Sequence, residues 1–467
     1  MRHINCNNEM EKPELNLTTI GDLPLEILID ILSRLPVNSI CCMRCVSKAF
    51  LKTVDDPSLA TTHMRRRFLT TCSITTTEVP RLVFLDESPF VKYDVLYPLK
   101  YDGHNLLTKS KQAIVSYFRS RRRFYWATFV FCNLFGFTAL NPEHERSRFT
   151  GLNLEHGRSC LLVNPFKGEV LMLPSASDVQ VPSNSLCDVD WYGMGFDNIT
   201  NSFKIVRVST NRKDYMAAEV LVLGTSSWRE LPTVPPCFPT CKSAYAHGDM
   251  HWLVHGDGGS SVCILSFDFQ KEEFYLTPPP ASLVKKPDLW KFLHLLNFRG
   301  SLALVNVYSP EDGDINIWGR ISVEIWGLKN HDNKEWVLNY KLDLKQDLFN
   351  SLGPTRLSKC GEWEDGIFFN DESDCSTYTI FVDLRHISMN CVPLEGKMAI
   401  HSCTNSMISL KNFGDLVEAE ESKREKKGIT EFPMSPRTWR NLINAAKVSK
   451  KDFLYLKTYT KSARISR

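Results

Sequence analysis

The chain has 467 residues, 43% of them hydrophobic and 23% charged, with a net charge of +3. These figures describe a globular chain long enough for two or three domains and exclude a disordered polyelectrolyte. No run approaches the ~20 consecutive apolar residues of a membrane-spanning helix.

Residues 1–20 read as a flexible polar lead without the apolar core of a secretory signal. A helix is predicted over Leu23–Leu35. Asp22 stands at the N-cap position, and Pro24 falls in the first turn, where its missing N–H costs nothing. Glu26 complements the positive end of the helix dipole. Polar residues recur four apart at Glu26, Asp30 and Arg34, and everything else to Leu35 except Ser33 is apolar. That apolar arc far exceeds the roughly 100° a one-sided helix needs, which predicts two buried faces, one inward and one towards another body. Pro36 ends the helix. Asn38 or Ser39 caps a second helix carrying Ile40, Met43 and Val46. Ser47 caps a third, Lys48 to about Val54, stopped at Asp55-Asp56-Pro57. Roughly 40 residues rarely bury a stabilising core unaided, so this module must pack on something else.

In order, Leu23-Pro24, Ile27-Leu28, Ile31-Leu32, Arg34-Leu35-Pro36-Val37, Ser39, Arg44-Cys45-Val46-Ser47-Lys48 and Asp56-Pro57 resemble the F-box family, with Phe50 where plant members usually carry Trp. The resemblance implies that this module, bounded at 21–67, docks on a Skp-type adaptor and through it on a cullin and a RING subunit. Leu23, Pro24, Ile27, Ile31, Leu35, Pro36, Val37 and Val46 would supply apolar contacts. Ser39 would cap or bond at the interface, and Arg44 would make a rim contact.

From about Phe68 short β-rich runs between turn residues take over. Arg81–Asp86 reads as a strand, and Lys109–Phe118 as a helix running into the basic cluster Arg119–Arg123. Leu161–Leu173 reads as two strands around Asn164-Pro165-Phe166-Lys167-Gly168. Phe203–Val208 follows the turn Asp197–Asn201. Ala218–Trp228 bends at Gly224–Ser227, and Ile264–Leu276 at Gln270-Lys271-Glu272. Several units close on an apolar residue and proline: Leu173-Pro174, Leu231-Pro232, Val392-Pro393. One hairpin pair per about 45 to 65 residues fits four-stranded propeller blades, which bury both faces on their neighbours. A β-sandwich of the same strands is the alternative.

The blocks Leu162–Pro165, Tyr192–Asp197 with Phe203–Val208, Ser227-Trp228-Arg229, Gly248–Leu253, Ile264–Asp268, Val323–Trp326 and Glu335-Trp336 resemble the plant F-box-associated domain over roughly Val130–Pro393. That family is related to kelch-type propellers and presents a protein-binding face. The expected fold is therefore α+β and multidomain: a small three-helix F-box, then a large all-β domain over 68–415, a kelch-like β-propeller. Residues 416–467 form a basic tail, with 13 Lys/Arg against 6 Asp/Glu from Leu416 onward.

Other motifs favour plainer readings. His247, His251 and His255 on a strand would share a side, but positions spanning about 27 Å cannot share one ion. Cys42-Met-Arg-Cys45 lacks a second CxxC and a βαβ setting, so buried apolar cysteine is the default. Gly193-Met-Gly195 has Asn198 where a nucleotide loop needs its third glycine, and reads as a turn entering a strand. Asp371-Glu372 reads as a solvated loop pair. No Walker loop, GxSxG elbow, HExxH or kinase signature is present. Arg119–Arg123 beside Phe124-Tyr125-Trp126 reads as a solvated charged face rather than a nucleic-acid site, since the body is acidic overall. Fifteen scattered cysteines fit a reducing compartment, cytoplasmic or nuclear.

The expectation is a non-catalytic substrate receptor of a Skp–cullin–F-box ubiquitin ligase, with no cofactor, no metal and no membrane. An unknown target protein would be held by the β domain. Two alternatives remain: an adaptor-bound scaffold without a degradative role, and a propeller enzyme or sugar-binding protein with an incidental helical cap.

Overall fold

The computed structural model describes residues 23–69, 80–86, 94–101, 106–108, 114–116, 124–140, 160–174, 190–210, 216–255, 262–283, 292–308, 320–330, 333–345, 357–372, 377–394 and 398–417. Four helices come first: α1 (Leu25–Leu32), α2 (Val37–Met43), α3 (Lys48–Val54) and α4 (Pro57–Leu69). Ser47 caps α3 as expected, its Oγ accepting from the Phe50 N–H at 3.2 Å. Three details depart from expectation. Pro24 precedes α1 as its N-cap residue, and Asp22 lies outside the described residues. α2 begins at Val37 directly after Pro36, so neither Asn38 nor Ser39 caps it, and it ends at Met43, leaving Val46 in the next turn. The third departure is α4 itself. Pro57 restarts a helix instead of ending the module, because Asp56 Oδ1 accepts from both the Ser58 N–H (2.9 Å) and its hydroxyl (2.6 Å). Proline is well suited to that first helical position. Ile29, Leu32, Val37, Ile40, Val54, Leu59 and Ala60 fill the space between the helices.

The rest is strand. β1 (Arg81–Asp86) runs as predicted. The helix expected over Lys109–Phe118 is overturned at its centre, where Ile114–Ser116 is a strand, β4, on β2 (Asp94–Tyr101); β3 (Leu106–Thr108) also pairs with β2. Two β-branched or apolar residues beside an open sheet edge outweigh the helix formers before them. The cluster Arg119–Arg123 lies outside the described residues.

Five four-stranded antiparallel blades follow. The first is β5 (Phe124–Phe131), β6 (Leu134–Leu140), β7 (Cys160–Asn164) and β8 (Glu169–Met172). The second is β9 (Trp191–Asp197), β10 (Ser202–Thr210), β11 (Met216–Val222) and β12 (Arg229–Glu230). The third is β13 (Pro239–Ala246), β14 (Asp249–His255), β15 (Val262–Asp268) and β16 (Glu273–Thr277). The fourth is β17 (Leu293–Phe298), β18 (Ser301–Tyr308), β19 (Arg320–Asn330) and β20 (Glu335–Lys345). The fifth is β21 (Leu357–Trp363), β22 (Gly366–Glu372), β23 (Thr377–Asp383) and β24 (Ser388–Leu394). Asp371-Glu372 thus ends a strand rather than lying in a loop. A final strand, β25 (Met398–Cys403), pairs antiparallel with β1, Leu82 opposite Ser402 and Leu85 opposite Ala399. The two ends of the β domain thereby share one closing sheet.

Apolar seams join the sheets into a ring, which decides for the propeller over the sandwich. Val83 and Leu85 of the closing sheet meet Phe135, Phe137 and Leu161 of the first blade. The first three blades share the largest cluster, centred on Phe131, Phe196, Ile205, Trp252 and Phe267. Ile264 and Leu295 link the third and fourth blades, and Ile325 and Phe369 the fourth and fifth. Phe368 and Phe381 return to Leu82, Tyr101 and Ile400 of the closing sheet.

Gly193 and Gly195 lie inside β9, not in a turn, and their lack of a side chain is what the seam requires. A Cβ at Gly195 would fall on the Phe269 ring, and one at Gly193 on Met250, both from the third blade.

A repeated hairpin runs through the blades. Asn164, Asp197, Asp268 and Asp383 each end a strand. The side-chain Oδ1 accepts from the N–H groups two and three residues on, at 3.2 and 3.3, 2.8 and 3.2, 2.8 and 3.0, and 2.7 and 2.9 Å respectively. Four residues on, Gly168, Asn201, Glu272 and Ile387 turn to φ of +65°, +54°, +56° and +50°. Such Asx turns return the strand on itself within a few residues.

Strand direction sorts the connections onto two faces. Turns between first and second and between third and fourth strands, among them Cys132-Asn133, His247-Gly248 and Arg299-Gly300, share one face. Connections between second and third strands, and from blade to blade, leave from the opposite one.

Candidate protein-docking surface

The helices sit on the short-turn face. Arg81 Nη2, at the start of β1, donates to Asn38 Oδ1 of α2 at 2.7 Å. The segment after β25, Thr404–Leu416, runs across the same face. Its Met407 packs among the α1–α4 core side chains, while Met64 of α4 packs into the large propeller cluster. Lys167 Nζ, in the β7–β8 turn, donates to the Met407 carbonyl at 3.2 Å.

With the inner side of the helices filled, the outer side carries aliphatic groups into water. Ile27 is 48% exposed, Ile31 41%, Val46 64%, Leu25 38% and Leu51 40%. Ile27 and Ile31 are one turn apart, so both stand on one side of α1. Of the other residues expected to make contact, Pro24, Pro36, Ser39 and Arg44 are exposed, and Leu23 and Leu35 are half-buried. Val37 does not belong with them. It is 4% exposed and lies in the core between the helices, so its role is to hold the module together. Arg44, at the C-terminal end of α2, bonds Asp55, at the C-terminal end of α3, at 3.0 Å. Sequence reasoning missed Leu25 and Leu51. Both stand beside residues it singled out by family pattern, and only the fold shows which side they take.

Cys42 and Cys45 are free and exposed, against the expectation of burial, as is their neighbour Cys41. The chain turns there through a hydrogen bond from the Cys45 N–H to the Cys42 carbonyl at 3.1 Å, which leaves both thiols outside the bundle.

The histidine series separates. His247 sits in the β13–β14 turn at φ +53°. His251 is fully buried in β14, bonded to Ser266 Oγ (2.8 Å) and the Ala246 carbonyl (3.1 Å). His255 ends that strand. Among the described residues no three of His, Cys, Asp and Glu gather as a metal site, and no helix is long and apolar enough to cross a membrane.

Buried charge in the propeller is engaged within and between the blades. Arg207 lies between Asp190 (3.1 Å) and Glu219 (2.6 Å), and Lys204 between Asp197 and Glu272, each at 2.8 Å. Burial pushes the Glu362 carboxyl up to about 7, although the Arg299 N–H donates to it. Burial likewise lifts Asp249 to about 7 against the opposing bond from the Tyr275 hydroxyl. Desolvation, with Lys242 and Lys359 nearby, holds buried His294 and half-buried His401 well below the usual imidazole range. All four groups lie in the sheets or their seams.

On the opposite face, the Leu231–Phe238 connection holds Val234 and Phe238 at 53% and 46% exposure. Phe238 approaches Trp191, at the start of β9, with ring centroids 6.3 Å apart.

Comparison with known proteins gives two family matches: an F-box domain over residues 20–62 and an F-box associated beta propeller domain over residues 124–417. A protein of Arabidopsis thaliana named as an F-box protein is 25% identical over 390 residues, covering 81% of this chain and 88% of its own length. An Arabidopsis F-box/kelch-repeat protein is 24% identical over 341 residues, 71% of this chain and 75% of its own. Among solved structures, TolB from Acinetobacter baumannii aligns over 74% of this chain and 72% of its own at 11% identity and a TM-score of 0.40, a similarity that carries no argument.

Proposed function

Because the chain belongs to the F-box proteins that carry an F-box-associated β-propeller domain, we propose that it is the substrate-recognition subunit of a Skp–cullin–F-box ubiquitin ligase, working in the cytoplasm or nucleus. One observation carries the reading. Five aliphatic side chains, Leu25, Ile27, Ile31, Val46 and Leu51, are held in water by a bundle whose inner face is already filled. A few such anchors, once covered, dominate the energy of an interface. A Skp-type adaptor is the partner this module would take, and the cullin and RING subunit follow through it.

No residue of the chain needs to do covalent chemistry in this role. The propeller would hold a target protein, and the adaptor side would bring a ubiquitin-charged enzyme near its lysines, so rate is gained by effective concentration. The long-connection face, with Trp191, Val234 and Phe238, is the side free for the target.

The test is capture by a purified Skp-type adaptor. The pair Ile27→Asp/Ile31→Asp should weaken binding at least ~30-fold, or about 2 kcal/mol, with thermal stability unchanged. Trp191→Ala/Phe238→Ala should leave adaptor binding intact. Undiminished binding by the first variant, or none by the wild type, would reject the proposal.

A further inference from the structure

The helical module and the propeller exchange side chains. Met407 comes from the segment after the last propeller strand, yet it is 7% exposed among Ile29, Leu32, Val37, Ile40, Val54 and Leu59. Met64 comes from α4, yet it is fully buried in the cluster of Phe129, Phe131 and Leu134. Each body thus lacks part of its core until the other is present.

Polar contacts fix the crossing segment along its length. The Asn405 carbonyl accepts from Arg67 Nη1 of α4 at 2.9 Å. Ser406 Oγ donates to Asn133 Oδ1, in the β5–β6 turn. Asn164 Nδ2 donates to the Ile408 carbonyl at 3.0 Å. Glu169 accepts from both Ser409 Oγ and the Leu410 N–H at 2.6 Å each, and Val417 N–H reaches the Val170 carbonyl at 2.8 Å. Asn133, Asn164, Glu169, Ser406 and Ser409 are all buried, and buried polar groups with satisfied partners specify one arrangement rather than many.

We propose that Thr404–Leu416 is a clasp that completes the α1–α4 fold and is therefore an obligatory part of the adaptor-binding module, some 340 residues away in sequence. The step from fold to adaptor binding rests on the function proposed above. The clasp also fixes the bundle on the short-turn face, so the aliphatic surface and the long-connection face keep one mutual orientation.

The experiment uses the full chain and hydrogen exchange read peptide by peptide, with adaptor affinity measured separately. Met407→Asp should raise exchange in α1–α4 at least ~10-fold while β9–β24 keep their protection, and should weaken adaptor binding by a similar factor. Met407→Leu should restore both. Glu169→Ala, which frees the clasp without touching the helices, should raise exchange in α1–α4 in the same sense. Ile387→Asp, on the exposed β23–β24 turn of the fifth blade, is the control and should change neither. Unchanged exchange in α1–α4 for both Met407→Asp and Glu169→Ala would overturn the clasp. Raised exchange with undiminished adaptor binding would overturn its part in the adaptor-binding module. If the wild type binds no adaptor, the proposed function fails, and the exchange measurements still decide whether the clasp exists.

Discussion

Ile31 leaves 41% of its surface in water while Val37, six residues on, leaves 4%. The two belong to one family pattern, and nothing in the pattern distinguishes a residue that waits for a partner from one that fills the module. Helical spacing found the stripe of Glu26, Asp30 and Arg34, but the wide apolar arc behind it hid which of its members point inward. Ile40→Ala should accordingly cost about 2–5 kcal/mol of stability, read as a lower denaturant midpoint, whereas Ile31→Ala should cost little stability and act on adaptor affinity instead. A second residue-scale expectation concerns pH. Glu362 has its folded-state pKa raised to about 7 by burial, so its contribution is fully present below its unfolded value near 4.5 and is lost as pH rises towards 7. His294 and His401, held low, contribute above about 6.5 and lose that contribution as pH falls. Glu362→Gln should remove the first effect and be more stable than wild type at pH 8 by about 1–3 kcal/mol. Urea unfolding of both proteins at pH 5 and pH 8 checks this, and parallel changes would contradict it. None of these burials was legible beforehand, because each depends on which blade lies across the seam.

At the scale of single elements, the hairpins were the best-read feature. Asn164–Gly168, Asp197–Asn201 and Gln270–Glu272 were marked as turns from their residue types, and the structure adds a common geometry with a positive φ four residues after the Asx. Ile387 occupies that place in the fifth blade at φ +50° and 61% exposure, a costly conformation for a β-branched side chain. Ile387→Asn should therefore stabilise the chain by about 0.5–1 kcal/mol, visible as a raised melting temperature. Two elements were misread for opposite reasons. α4 has a weak apolar signal because, among its described side chains, only Leu59, Ala60 and Met64 are buried apolar positions, and its cap lies in an Asp-Pro pair that usually ends helices. Ile114–Ser116 sits in a helix-favouring context, and only the open edge of β2 recruits it as a strand.

Across the whole molecule, the propeller class followed from the spacing of turns, while the number and closure of the sheets did not. Closure depends on Arg81–Asp86 finding Met398–Cys403, a pairing that no local pattern announces. Its energetics are nonetheless testable. Val83 is 1% exposed against the first blade, and Val83→Asp would bury a lone carboxylate there, at a cost upward of about 3 kcal/mol. Protection from hydrogen exchange should then fall first in β25 and in β6 and β7, with β13–β16 last to respond. A uniform loss through every blade would instead mean that the ring unfolds without a weakest joint.

The shared sheet also imposes an order in time. β1 leaves the ribosome long before its neighbour: Arg81 and Cys403 are 322 residues apart, and at about 5–20 residues per second the interval is roughly 15 to 65 s. Throughout it, the edge of β1 that β25 will take has no partner strand, the kind of edge that chaperones hold and that aggregates when they do not. A chain broken off before β25 cannot finish its ring, and it advertises that failure at its first strand.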